Sequence, residues 1–310
     1  MRGNRLLLTY SLLARDPATG QLGVASQSHY LGVGSVVTWA EAGTGVVATQ
    51  AFALRSYGPR GLALMRAGKS APDALRQLLQ ADADSEIRQV AFLDTAGDVG
   101  IHSGQRCIGA AGIATGEHVV GLGNMLDNDG VPQAMVRGFH NADGDLAHRL
   151  VAGLRAADDA GGDIRGRQSA AMLVVDGTPT DAPWDGIVRE LRVEDHHDPI
   201  GELSRLLDLN DAVDDISRVV FDPNGPILGP PQPESVYRSA AARLAAAATV
   251  LGDNPEAIFW AALLQERWGH PDAAKRLLEA AARHNPRLET FFERCVCIGN
   301  LTPPGLSGPA

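Results

Sequence analysis

The chain has 310 residues, 45% hydrophobic and 21% charged, the balance of a soluble globular protein long enough for one large domain or two smaller ones. A formal net charge of -10 argues against nucleic-acid and anionic-membrane partners, and no run approaches the ~18 apolar residues of a membrane helix. Three cysteines (Cys107, Cys295, Cys297) make neither a disulfide framework nor a zinc site, so a cytoplasmic protein with no cofactor and no metal is expected.

Leu6 to Ser28 reads as a β-hairpin, with strands about Leu7–Arg15 and Gln21–Ser28 around the turn residues Asp16-Pro17-Ala18-Thr19-Gly20. Alternation puts Thr9, Ser11 and Leu13 on one face and Leu8, Tyr10, Leu12 and Ala14 on the other. Thr is a favoured strand residue, so the hydroxyl pair has a purely structural explanation as well as a chemical one. Two more strand-like runs follow, Ser35–Ala40 and Gly43–Ala51, and then helices from Tyr57 to Ala67 and from a Ser70 cap to Gln80. Arg88–Asp94 and Asp98–Ser103 form a second hairpin signal, and His118–Met125 a further strand. Helices over Val131–Asn141 and Asp145–Ala157 precede the strands Ala170–Asp176 and Ile187–Val193, and Asp198-Pro199 caps a helix through Leu209. Strands and helices in blocks favour a layered α+β fold over a doubly wound one.

Phe221–Glu234 carries five prolines and two glycines and reads as an extended linker. The expected division is therefore a main domain over 1–220, a linker over 221–235, a helical region over 236–298 and a tail over 299–310. In the helical region Trp260, Leu263, Leu264, Trp268-Gly269, Ala273, Ala274, Ala281 and Asn285-Pro286 resemble a tetratricopeptide helix pair in spacing. One unit cannot bury its own faces, so it packs on neighbouring elements or on a partner, either a second copy or another protein.

Two polar clusters interrupt the apolar segments: Ser26-Gln27-Ser28-His29, and Gly161-Gly162-Asp163-Ile164-Arg165-Gly166-Arg167-Gln168-Ser169 just before a buried strand. The second is either a solvated loop or one that places charge at a strand mouth. Gln50 and Asn124 end strands in amides able to donate hydrogen bonds to an oxyanion. His196-His197-Asp198 suits a helix cap better than a metal site, and no phosphate loop, zinc-protease or serine-hydrolase motif has the right context.

The motifs TYSLLARDPATGQLGVASQS, VVATQAF, SYGPRGLALM, GLGNML and AGGDIRGRQSAAMLVV closely resemble the uncharacterised bacterial family called domain of unknown function 1028, grouped with the N-terminal-nucleophile (Ntn) hydrolases. The resemblance spans about Leu8 to Leu209. It implies a four-layer αββα sandwich, to which the C-terminal helices are an accessory region. In Ntn hydrolases a Thr, Ser or Cys opening the first strand attacks an amide carbon, and its own α-amine takes the proton. The matching residue is Thr9. Eight residues precede it, so Leu8–Thr9 is cleaved, or Met1 is a misplaced start, or Thr9 is not such a nucleophile here. The lysine that tunes the base in some relatives has no counterpart near this strand, since the chain's lysines are Lys69 and Lys275.

The expectation is thus an Ntn-type hydrolase of a small amide or peptide-like substrate, the alternative a catalytically silent Ntn-fold protein binding a metabolite or protein partner. Thr9, Ser26, Asp163 and Arg165 are the candidate catalytic residues. Gln27, Ser28, Gln50, Asn124, Arg167, Gln168 and Ser169 are the candidates for substrate binding.

Overall fold

The structure is a computed structural model describing residues 4–7, 9–182 and 185–297, which fall into two compact units, Met1–Leu207 and Asp208–Ala310. In the first unit the chain runs β1 (Asn4–Leu7), β2 (Thr9–Arg15), β3 (Leu22–Ser28), β4 (Thr38–Glu41), β5 (Gly45–Leu54), α1 (Tyr57–Arg66) and α2 (Ala71–Gln80). It continues through β6 (Arg88–Asp94), β7 (Val99–Ser103), β8 (Gly112–Gly116), β9 (Val119–Gly123), α3 (Val131–Asn141) and α4 (Leu146–Asp159). Strands β10 (Ser169–Val175) and β11 (Ile187–Val193) lead into α5 (Pro199–Val220).

Every strand pair is antiparallel. One sheet has the order β1-β5-β6-β7, with β4 also on β5; the other has the order β11-β10-β3-β2-β9-β8. The β2–β3 turn folds as its residues dictate: Asp16 accepts hydrogen bonds from Ala18 N and Thr19 Oγ1, and Gly20 takes a φ of 77°. Period-two alternation then sorts β2. Leu13 joins Val24, Val46, Ala48, Leu93 and Leu122 in a core between the two sheets. Tyr10, Leu12 and Ala14 face Phe139, Leu150 and Leu154 of α3 and α4 on the outer side. Gly153 makes that approach close, since a Cβ there would lie 2.5 Å from Leu12 Cδ2. Helices α1 and α2 pack on the outer face of the first sheet, over Val47, Val90 and Phe92.

Several boundaries differ from expectation. The first hairpin strand begins at Thr9, and Leu7 belongs instead to β1, which pairs with β5 in the opposite sheet. Strand β8 was not expected, because Gly-Ile-Ala-Thr-Gly has little apolar alternation to betray it. Helix α5 continues past Leu209 to Val220. Ala212, Ile216 and Val219 keep the helical period among the acidic residues, and no proline intervenes until Pro223.

The second unit adds α6 (Glu234–Leu251), α7 (Glu256–Trp268), α8 (Pro271–His284) and α9 (Arg287–Cys297). Its core holds Leu244, Phe259, Trp260, Leu263 and Leu264, with the Phe259 and Phe291 rings stacked at 4.8 Å. The proline-rich segment is folded onto this unit: Ile227 is buried, and Arg267 donates to the Gly229 carbonyl. Among the described residues no helix is long and apolar enough to cross a membrane. The expected tail at 299–310 lies outside the described residues.

One ion pair braces the first sheet. The Arg88 side chain, 2% exposed, donates to Asp82 at 2.9 Å and to the Phe52 carbonyl at 2.6 Å. Burial pushes the Asp82 carboxyl up, but hydrogen bonds from Arg88, Asp84 N and Tyr57 outweigh it and hold the group below its ordinary value. Because its folded pKa lies below the unfolded one, this stabilisation is complete above about pH 4 and lost as pH falls through the folded value. Asp82→Asn should lower the thermal midpoint at neutral pH by roughly 6–12 °C, about 3 kcal/mol for uncoupling a buried guanidinium. The loss of midpoint between about pH 4 and 2 should be shallower in the variant, as measured by calorimetry across that range.

Candidate functional site

At the Thr9 end of β2 the core between the sheets turns polar. Thr9 lies opposite Ser28, and Ser11 opposite Ser26, in the β2–β3 register, on the same face as Leu13. Gln50 on β5 and Gln89 on β6 are paired in register and meet them from the other sheet. All six of these side chains are fully buried.

They are joined by hydrogen bonds. Thr9 Oγ1 donates to Ser28 Oγ at 3.1 Å, and the Ser11 and Ser26 hydroxyls lie 2.7 Å apart. Ser11 Oγ also donates to Gln50 Oε1 at 2.5 Å. Gln50 Nε2 donates to the Thr9 carbonyl at 3.0 Å and to Gln89 Oε1 at 2.8 Å. Asn124 adds its backbone N at 3.1 Å and its Nδ2 at 3.4 Å to the same Thr9 carbonyl, with Nδ2 also 3.2 Å from Gln89 Oε1. Gln89 Nε2 closes the network on the Gly123 carbonyl at 2.8 Å. A buried polar seam of this kind is tolerable because its members satisfy one another.

Backbone strain gathers at the same place. Ala51 and Met125, directly after Gln50 and Asn124, have φ of 64° and 47°, in the left-handed region that favours glycine. Such residues persist only where the surroundings over-determine them, and they concentrate at functional sites.

The glycine-rich loop forms a second cluster. The Asp163 side chain is wholly buried; it accepts from His29 N at 3.0 Å, Arg165 N at 3.0 Å, Arg165 Nε at 3.1 Å and Arg165 Nη2 at 2.8 Å. It thereby ties the exit of β3 to the approach to β10. Ser169 Oγ accepts from Val33 N and donates to the Tyr30 carbonyl, fastening the same turn. Arg167 pairs with Asp158 of α4 at 2.9 Å, and Gln168 donates to Asp195 near the surface.

Thr9, Ser26, Ser28, Gln50 and Asn124 therefore meet in one seam, while Asp163, Arg165 and Ser169 brace the adjoining loop. Gln27 points the other way. It sits on the helix-facing side of β3 opposite Tyr10, and neither end of its buried amide has a hydrogen-bond partner among the described residues. The Tyr10 hydroxyl is likewise without one; burial, then the charge of Asp158, raises its pKa and keeps it neutral. Sequence reasoning overlooked Gln89, although it shares strand parity with Ala91 and Leu93 of the core between the sheets. Asp198 caps α5 through Gly201 N at 3.0 Å, and no cluster of three metal-ligating side chains occurs among the described residues.

An α+β domain of two antiparallel sheets with a satisfied polar seam between them is the class this geometry defines. The chain belongs to the family described as "Family of unknown function (DUF1028)", which matches residues 9–203. It is similar to the crystal structure of protein SPO2555 from Silicibacter pomeroyi, of the same family. That match has 33% identity and a TM-score of 0.58, and covers 64% of this chain and 88% of the other. No curated protein matches.

The two buried glutamines should respond in opposite ways to a near-isosteric change. Gln50→Met removes the acceptor of the Ser11 hydroxyl and one donor each to the Thr9 carbonyl and Gln89 Oε1, so the thermal midpoint should fall by roughly 4–12 °C, about 2–3 kcal/mol. Gln27→Met removes an amide that has no protein partner, and its midpoint should hold or rise by a few degrees, within about 1 kcal/mol. Thermal unfolding of both variants checks the pair; a large fall for Gln27→Met would contradict this assignment.

Proposed function

We propose that the chain is an Ntn-type hydrolase of a small amide or peptide-like substrate, latent until the Leu8–Thr9 bond is cut. The observation that carries this reading is the position of Thr9. It opens β2, an internal strand of its sheet, with its hydroxyl in the buried seam and the preceding strand paired into the opposite sheet. Helices packed on the outer faces of the two sheets support the αββα reading.

In this reading, cleavage frees the α-amine of Thr9, which near neutral pH is basic enough to take the hydroxyl proton. Oγ1 bonds to the substrate carbonyl carbon, the amine leaves with a proton, and an ester on Thr9 remains. Water then hydrolyses the ester and releases the acid. In the uncut chain the nitrogen is an amide without useful basicity. Gln50 and Asn124 act as positioning residues, since their donors are committed to the Thr9 carbonyl. Ser28 orients the nucleophile, while Asp163 and Arg165 hold the strand end that carries Ser28.

A chain beginning at Thr9 should gain activity toward a panel of amides over the 310-residue form. Thr9→Ala in the trimmed chain should abolish it, a loss of a thousandfold or more, about 4 kcal/mol, while Thr9→Ser retains part. Equal hydrolysis by the trimmed chain and its Thr9→Ala variant would reduce Thr9 to a strand residue. Binding of a metabolite or protein without hydrolysis of any amide would favour a catalytically silent fold, with the C-terminal helices as the surface for a partner.

A further inference from the structure

The far end of β2 carries a different arrangement. Arg15, its last residue, stands about 20 Å from Thr9 at the usual rise of a strand. There an open cleft of 240 Å³ is lined by Arg15, Asp16, Glu117, His118, His140 and Arg149. The basic groups arrive from four places: the end of β2, the β8–β9 turn, the last turn of α3 and the first turns of α4. The chain has 27 Lys and Arg against 37 Asp and Glu, so composition alone would not gather them.

Neither guanidinium has a salt-bridge partner among the described residues. Arg15 Nε is buried with no hydrogen-bond partner among them. Arg149 is held over the Phe139 ring at 4.1 Å, with Nε 3.4 Å from the Phe139 carbonyl. That stacking fixes the plane of the fork. Two acids share the cleft. Asp16 accepts the hydrogen bonds of its own turn. Burial raises its carboxyl, but Thr19, Ala18 and the charge of Arg149 hold it below its ordinary value. The Glu117 side chain is 87% exposed and lies 3.8 Å from His118 Nε2.

His118 has a φ of 59°, and its carbonyl accepts from Arg15 N at 2.9 Å. The turn bearing the imidazole is thus fastened to the strand bearing Arg15. Two guanidinium forks without an ion-pair partner among the described residues, on a cavity of this size, want an acceptor with several oxygens.

We infer that this cleft binds a small oxyanion, a phosphate or carboxylate group, with Arg15 and Arg149 as principal donors and His118 and His140 at the rim. The inference is independent of any role for Thr9.

The test is calorimetric titration of the full chain with pyrophosphate and, separately, with citrate, at ionic strength held constant with sodium chloride. One saturable site per chain is expected for at least one probe, and the tighter of the two distinguishes a phosphate from a carboxylate ligand. R149Q should weaken binding tenfold or more. H118G should weaken it several-fold while leaving the midpoint of the free protein unchanged or higher, because glycine suits the positive φ. No saturable heat with either probe, or parental affinity in the R149Q/H118G double variant, overturns the proposal. Should R149Q not fold, parental affinity in H118G together with R15Q does the same.

Discussion

The Gln50 side chain holds the polar end of the first unit together. Its oxygen accepts from Ser11 on one sheet, and its nitrogen reaches both the Thr9 carbonyl of that sheet and Gln89 of its own. An apolar residue there would remove the hydrogen bonds that cross between the two sheets to Ser11 and the Thr9 carbonyl, and the pairing with Gln89. The two sheets therefore have a specified register at this end, whereas apolar packing farther along would tolerate small slips. The left-handed Ala51 next to Gln50 belongs to the same constraint. Val46, Ala48 and Ala53 all face the other sheet, a change of strand parity that occurs across that residue.

The seam and the glycine-rich loop solve one problem from two sides. A strand that ends in polar residues inside a core needs its following backbone fixed, or the network loosens. Asp163 does this with a buried carboxylate that binds the His29 N–H and Arg165 together, so the charge is paired where it is hidden. Arg167, two residues on, turns toward Asp158 on α4 and anchors the loop to the helix layer. Residues adjacent in sequence thus serve different layers.

Much of this could be read from the chain. Period-two alternation alone put Thr9 and Ser11 with Leu13, and the caps at Ser70 and Asp198 hold as their residue types suggest. The same alternation separates Gln27 from Ser26 and Ser28, yet the tripeptide Ser-Gln-Ser reads as one polar cluster unless parity is applied to it. What stayed hidden was tertiary. The run Leu6-Leu7-Leu8-Thr9-Tyr10 looks like one strand, because nothing local marks the passage from one sheet to the other. The partner of Arg167 lies on a helix nine residues back, reached only when α4 has packed. Helix α5 outran its expected end because its acidic residues masked an apolar stripe that only a packed core reveals.

The short strand β1 has one more consequence. It shares an edge of β5 with β4, covering Ala51–Leu54 while β4 covers Gly45–Ala48, and β6 occupies the opposite edge. With both in place, that edge of β5 offers no free row of main-chain donors and acceptors along these residues. Without residues 4–7, that row would lie open beside the polar seam as a template for any extended backbone, including a second copy of the same protein. These few residues thus cover a sheet edge by the same pairing that delivers the chain to Thr9.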